Sequence, residues 1–257
     1  MSEIIVIISS LISIIYLILL LLLIVGIRKL KVFQPFETNF NKSFSIIIPF
    51  RNESIHLNYL LQSLKNLDYP SSNFEIILVN DSSTDDSEKL VRQFIDQHST
   101  IQIKLIQNNI DAKSPKKEAI EKAINWAQFE WIITTDADCV VPEKWLQSFD
   151  NFIQITPCDM IIAPVIFTSD SSFLQDFQQL DFLSLMGATQ GGFGIGFPFL
   201  CNGANLCYQK SVFMDVNGFE GNTNIASGDD IFLMEKFLNH DKKSVKYLKS
   251  TESVVQT

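Results

Sequence analysis

The sequence predicts an α/β fold: a mainly parallel sheet flanked by helices and preceded by one N-terminal transmembrane helix. Three observations carry this. The chain opens on a long uncharged apolar stretch. Strand-like and helix-like segments then alternate from Phe44 to Val165. The predicted strands repeatedly end in acidic and hydroxyl-bearing residues. Alternation of this kind builds parallel sheets with helices on their faces.

The first element is the apolar stretch. No charged residue occurs from Ile4 to Ile27, and Leu19 to Leu23 is an unbroken leucine run. At about 1.5 Å per residue this segment spans a bilayer core of about 30 Å. A secretory signal would have a basic start, a shorter apolar region and a small-residue cleavage site. This chain begins Met-Ser-Glu and has no Ala-x-Ala-like site. A core helix of this length would not be apolar on every face. Residues 1–30 are therefore expected to be an uncleaved anchor. Arg28, Lys29 and Lys31 follow the span while Glu3 alone precedes it, which places the remainder in the cytoplasm.

Residues 32–43 read as a short polar neck. Strands are then expected at Phe44–Pro49, Phe74–Val79, Ile101–Ile106, Trp131–Thr135 and Met160–Val165. Between them, helices are expected at Ile55–Leu67, Ser87–Gln97, Lys116–Phe129 and Pro142–Ile155. Asp85 or Asp86 is placed to cap the second of these, and Pro115 stands where a helix start tolerates proline. Past residue 170 the pattern loosens. Phe173 to Met186 is helix-like and rich in large apolar groups, and a glycine-rich aromatic stretch, Gly191–Phe199, follows. This region is either a core helix with a loop, or a surface that lies on a membrane or grips a lipid-linked acceptor.

Bulk properties set further bounds. The 257 residues suffice for one large domain or two small ones, and 46% are apolar. The net charge of −9 excludes nucleic acid as the main partner. It leaves room for a phosphorylated ligand, because a bound metal ion inverts the local field. Cys139, Cys158, Cys201 and Cys207 show no Cys-x-x-Cys spacing and only three His accompany them, so neither a zinc site nor a disulfide framework is indicated.

Four polar clusters hold the chemistry. Three follow strands: Pro49 to Glu53, Asn80 to Asp86, and Asp136-Ala137-Asp138. The fourth, Gly228-Asp229-Asp230, stands ahead of a helix expected to start near Ile231. Ligands of open α/β sheets collect outside the carboxyl ends of strands. A carboxylate pair there suits Mg²⁺, which binds through one or two acids and leaves positions for phosphate oxygens. Turn or cap chemistry is the competing explanation for each cluster taken alone.

Taken in order, the set resembles the inverting family 2 glycosyltransferases, membrane-associated enzymes of GT-A fold, over roughly residues 43 to 250. Pro49, Asn52 and Glu53 match a Pro-x-x-Asn-Glu start. Asn80, Asp81, Ser82, Ser83 and Asp85 match an Asp-Asp-Gly-Ser-x-Asp-like loop. Pro115, Lys116, Ala119 and Ile120 loosely match a Gly-Lys-x-x-Ala-Leu helix start, and Asp136 and Asp138 match Asp-x-Asp. Gly203, Ala204, Asn217, Gly218 and Phe219 match a Gly-Ala-x segment followed by Gly-Gly-Phe-like residues. Asp229 and Asp230 match Glu-Asp before a helix. Asn80, Ser82, Pro115 and Asp229 depart from the family residue at their positions.

The resemblance implies a nucleotide-sugar donor, typically a uridine diphosphate sugar. Asp81 would contact the base, and Pro49 and Glu53 would line the same pocket. Asp136 would face the ribose or diphosphate, and Asp138 would coordinate Mg²⁺ or Mn²⁺. Asp230 would be the general base for an acceptor hydroxyl on a lipid or lipid-linked glycan, with a growing polysaccharide as the other acceptor class. Lys116 or Lys117 would add a positive contact, against the alternative of a solvated helix face. Family members carry a Gln-x-x-Arg-Trp motif after the base helix. Residues 31–257 are therefore expected to be a GT-A domain that is truncated C-terminally.

Other functional classes fit less of the sequence. Phosphotransferases that use an Asp-x-Asp nucleophile place it on the first strand, followed by Thr or Val, not late and before Cys139. Nucleotidyltransferases want a glycine-rich basic loop after the first strand. A membrane-tethered binding module without turnover would not need both Asp138 and Asp230.

Overall fold

The computed structural model describes residues 2–109, 114–168, 172–222 and 228–257. The N-terminal stretch forms one helix, α1 (Ser2–Lys29). Its apolar side chains from Ile4 to Leu22 are exposed around the whole helix. Among the described helices, α1 is the one long and apolar enough to cross a membrane.

The alternation then appears as expected: β1 (Phe44–Phe50), α2 (Leu57–Lys65), β2 (Phe74–Asn80), α3 (Ser87–Gln97), β3 (Gln102–Gln107), α4 (Pro115–Trp126), β4 (Trp131–Thr134), α5 (Trp145–Ile155) and β5 (Met160–Ile162). The later part adds β6 (Val165–Ile166), α6 (Phe173–Gly194), β7 (Leu206–Gln209), α7 (Lys210–Asp215), α8 (Asp229–His240), β8 (Val245–Tyr247) and β9 (Val255–Gln256).

Several boundaries move for identifiable reasons. Helix α4 stops before Phe129 because the backbone N–H groups of Gln128 and Phe129 bond the buried side chains of Glu75 and Ser45 instead. The expected strand at 160–165 splits in two around Pro164, which has no N–H to give a ladder. Helix α8 starts at Asp229, after Gly228 at φ +73°, so both acids sit in its first turn rather than ahead of it. The cap of α3 comes from Asp85, whose Oδ1 accepts the Ser87 N–H, and not from the Asp86 side chain. The neck is irregular but pinned. Phe33 N donates to Lys249 O, Phe36 N to Asn151 Oδ1 and Asn41 N to Asp150 Oδ2, all within 2.9 Å.

The main sheet runs β3-β2-β1-β4-β7-β5-β8. β7 is antiparallel to both of its neighbours, and every other adjacent pair is parallel. The order reverses at β1, which lies between β2 and β4. That is the switch point outside which open α/β sheets bind ligands. The strands bury alternate residues on opposite faces. Ile46, Ile48, Leu78 and Ile133 pack with α2, α3 and α5. Ile47, Ile77, Val79 and Ile132 pack with α4, α7 and α8.

Helix α6 extends eight residues past Met186, through glycines expected to form a loop. Its glycines meet α1 at backbone distance. A Cβ on Gly26 would run into the Gly191 carbonyl, and one on Gly194 into the Gly26 carbonyl. Glycine weakens a helix in isolation, but here it is what allows the two helices to cross. Near its start α6 leaves Phe173, Leu174, Phe177 and Leu180 more than 60% exposed.

Candidate active site

The sheet register brings the three strand-end clusters together. Phe50 pairs with Asn80, so the two loops leave β1 and β2 level with each other. Thr134 pairs with Ile47, which carries Asp136 up beside Pro49. Pro49, Phe50, Arg51, Glu53, Asp81, Lys116, Asp136, Ala137 and Asp138 line one open cleft of about 280 Å³. Six predicted site residues therefore meet in a single cavity.

The first two loops are stitched to each other. Asn52 is held at φ +57°, a left-handed conformation that Asn tolerates better than most residues. Its Oδ1 accepts from Thr84 N at 2.8 Å, and its own N–H donates to Ser83 Oγ. Glu53 N donates to Ser87 Oγ, and Ser54 N to Asp85 Oδ2. Hydrogen bonds from Ser87 and Ser54 hold the Asp85 carboxyl below the usual carboxylate range. Ser82, which stands where the family has glycine, is also at φ +57°. The backbone thus keeps the glycine conformation without the glycine.

Asp81 projects into the cleft between two partners that sequence reasoning missed. Asn108 Nδ2 donates to its Oδ1 at 2.8 Å, and Arg51 Nη1 lies 3.7 Å from its Oδ2. Asn108 follows β3 and closes the same sheet edge. A polar pair directly after a predicted strand was the available signal.

Lys116 Nζ donates to Asp136 Oδ1 at 2.6 Å. Burial alone would lower the ammonium pKa. Asp136, with Asp229 and Asp230 beyond it, outweighs burial and leaves it raised. The Lys116 side chain keeps 42% exposure, so the solvated-face alternative is corrected for Lys117 alone. Lys117 is 2% exposed and donates to Asn222 O at 2.7 Å, tying α4 to the segment ahead of α8.

Asp230 lies in an adjoining small recess of about 10 Å³ that it shares with Pro49, Lys116, Thr135, Asp136, Gly203 and Asp229. Its Oδ2 accepts from Gly203 N at 2.9 Å and its Oδ1 from Ile231 N at 2.8 Å. Burial raises its pKa. Asp229 adds to the rise, while the two N–H donors and Lys116 oppose it.

Asp138 is exposed at the cleft. Among the described residues no group of three or more His, Cys, Asp or Glu is arranged for a metal. An Asp-x-Asp pair with one oxygen already given to Lys116 still fits a hard divalent ion that takes its other ligands from phosphate and water. Burial, then Asp136 and Asp138, push the Cys139 thiol up to about 12, so it stays protonated beside them. All four cysteines are free and buried.

The family model for glycosyl transferase family 2 matches residues 45–213, more than half of the chain. The chain belongs to that family. It is 27% identical over 119 residues to the poly(ribitol-phosphate) beta-N-acetylglucosaminyltransferase TarS of Staphylococcus aureus, covering 46% of this chain and 20% of TarS. It is 23% identical over 177 residues to the poly-beta-1,6-N-acetyl-D-glucosamine synthase of Staphylococcus epidermidis, covering 68% and 41% respectively. The chain thus spans less than half the length of these relatives. Two solved structures share the fold. TarS 1–349 in complex with UDP-GlcNAc has a TM-score of 0.63 and 19% identity, over 84% of this chain and 58% of that one. The mannosyltransferase PcManGT of Pyrobaculum calidifontis, in complex with GDP-Man and Mn²⁺, has a TM-score of 0.71 and 18% identity, over 97% and 67%. The sheet of this family 2 chain is the GT-A arrangement.

Proposed function

We propose that this chain is an inverting glycosyltransferase that moves a sugar from a UDP-sugar to an acceptor hydroxyl on a lipid or lipid-linked glycan. One observation carries the reading. The Asp81–Asp136–Asp138 cleft and the Asp230 recess share Pro49, Lys116 and Asp136 as walls. A donor site and a carboxylate base are thereby adjacent.

Each residue has a chemical reason for its role. Asp81 supplies carboxylate acceptors for the ring N–H of the base, and Asn108 fixes its orientation. Pro49 and Glu53 line that side of the pocket. Asp136 faces the ribose and diphosphate, with Lys116 as a fixed positive contact. Asp138 is the residue that would hold Mg²⁺ or Mn²⁺, which as a Lewis acid supplies charge stabilisation for the diphosphate. Asp230 takes the proton of the acceptor hydroxyl as its oxygen attacks the anomeric carbon. The diphosphate leaves from the opposite face with the bonding pair, and the product is inverted. Burial keeps Asp230 more basic than an ordinary aspartate, which suits that task.

The UDP-GlcNAc complex of TarS supports a uridine donor. Helix α1 serves as the membrane anchor, and residues 31–257 form the catalytic domain on the cytoplasmic side. The exposed apolar residues of α6, a helix that crosses α1 at Gly26, support an acceptor drawn from the membrane.

Calorimetry of UDP with the full chain in detergent micelles, with and without Mn²⁺, tests the donor site. Metal-dependent binding that disappears in Asp81→Ala is the expected result. Failure of UDP to bind with the metal present would sink the uridine assignment.

A further inference from the structure

A separate cavity, of about 380 Å³, opens where α1 ends. Leu30 and Lys31, directly after the helix, form one wall. Phe193 and Pro198 at the end of α6 form another, and Lys242, Lys243 and Lys246 close the third around the start of β8. It shares no lining residue with the donor cleft or the Asp230 recess.

Its charge runs against that of the molecule. The chain carries −9 overall, yet four lysines converge here. Among the described residues, none of the four ammonium groups lies within 4 Å of a carboxylate. Asp159 and Asp241 line the neighbouring depression together with Lys243 and Lys246, and the Asp241 side chain accepts from the Lys243 N–H. Positive charge remains in excess.

Between the lysines the lining is mostly apolar, with Leu30, Phe152, Phe193 and Pro198, and Tyr247 beside them. A free phosphate would have no use for that surface. A soluble nucleotide would want several acceptors for its base and ribose, and this wall offers ammonium groups, apolar side chains and a single phenol, Tyr247. An amphiphilic anion satisfies both halves of the lining, with its phosphate among the lysines and its acyl-bearing part against the rings. The cavity's place beside Leu30 and Lys31 is headgroup depth for a helix that ends at Lys29.

We infer that this cavity binds the phosphate of an anionic glycerophospholipid from the leaflet that α1 reaches. The inference rests on the reading of α1 as a membrane anchor. The lipid is a structural partner and not the sugar acceptor, since its cavity shares no wall with Asp230.

Native mass spectrometry of the full chain, released from micelles with equal phosphatidylglycerol and phosphatidylcholine, tests it. Wild type is expected to retain phosphatidylglycerol selectively. Lys242→Gln, Lys243→Gln and Lys246→Gln together should weaken retention on the order of a hundredfold, at roughly fivefold per lysine. The corresponding triple Arg variant should restore it, and UDP affinity should be unchanged in both. Equal retention of the two lipids, or an undiminished preference in the Gln variant, overturns the proposal. Displacement by glycerol 3-phosphate also overturns it, in favour of a soluble-anion site. Carbonate extraction from proteoliposomes reads the anchor separately. A released chain overturns both readings, and a retained chain without lipid preference overturns this one alone.

Discussion

Replacing Asp230 with Asn removes the proposed base at nearly constant shape, and the structure sets the size of two separate effects. The first is on stability. The carboxylate accepts two backbone N–H groups, from Gly203 and Ile231. A carboxamide has one acceptor oxygen, so one of those donors would face an NH₂ group. Hydrogen bonds to a charged group contribute about 1.5–3 kcal/mol, and relief of the buried charge offsets part of their loss, so the variant should lose at most roughly 2 kcal/mol. At about 2–4 °C per kcal/mol for a domain of this size, its melting temperature should fall by no more than roughly 4–8 °C. The second effect is on chemistry. Loss of a general base costs about 10²–10⁴ in rate, or roughly 3–5 kcal/mol of barrier. The assay is UDP release from a panel of UDP-sugars by the chain in proteoliposomes, with UDP affinity by calorimetry as the control. Lowered melting, lost turnover and intact UDP affinity are expected together. Near wild-type turnover would falsify the assignment of Asp230 as base.

If Asp230 is the proposed base, the acid limb of kcat/KM against pH should lie above the ordinary aspartate range, because burial raises its pKa and a general base must be ionised to act. Asp229→Asn removes a neighbouring negative charge and should move that limb to lower pH, whereas Lys116→Met should move it higher; unmoved limbs would refute the electrostatic account. Asp138→Ala should abolish the Mn²⁺ dependence of UDP binding while leaving the fold intact by circular dichroism. Asn52→Ala loses the bond to Thr84 N and puts alanine in a left-handed conformation, at about 1 kcal/mol for each, and calorimetry should show weakened UDP affinity. Gly26→Leu drives a side chain into the Gly191 backbone, an overpacking that costs about 1–3 kcal/mol; faster tryptic cleavage at Lys42 in an otherwise membrane-retained chain is the expected readout.

Much of this was legible in the sequence where local signals were strong. The runs Ile46–Ile48, Ile76–Val79 and Trp131–Ile133 announce strands buried on both faces, and the register then makes one site of the acids that follow them. Other features depended on tertiary partners. Gly191 and Gly194 read as a loop because nothing local says that α1 will pack against them. For Lys116 and Lys117 the sequence left a positive contact and a solvated face both open. The Asp136 carboxylate pairs with one and the Asn222 carbonyl takes the buried other, and both partners are distant in sequence. The short strands β7, β8 and β9, of two to four residues, are too brief for a period to register. Asn108 was overlooked because its value lies wholly in reaching Asp81 from another loop.

The crossing of α1 and α6, together with the pinned neck, has a mechanical consequence. A catalytic domain on a slack tether would sweep a hemisphere and accept substrates at any distance that its leash permits. Here α1 meets α6 backbone to backbone, and the residues that leave it are bonded to Lys249, Asn151 and Asp150. With α1 in the bilayer, the Asp230 recess stands at one height and one tilt above the lipid surface. On the proposed reading acceptor length then acts as a ruler: a hydroxyl presented too near the membrane or too far from it would not reach Asp230, whatever its chemistry.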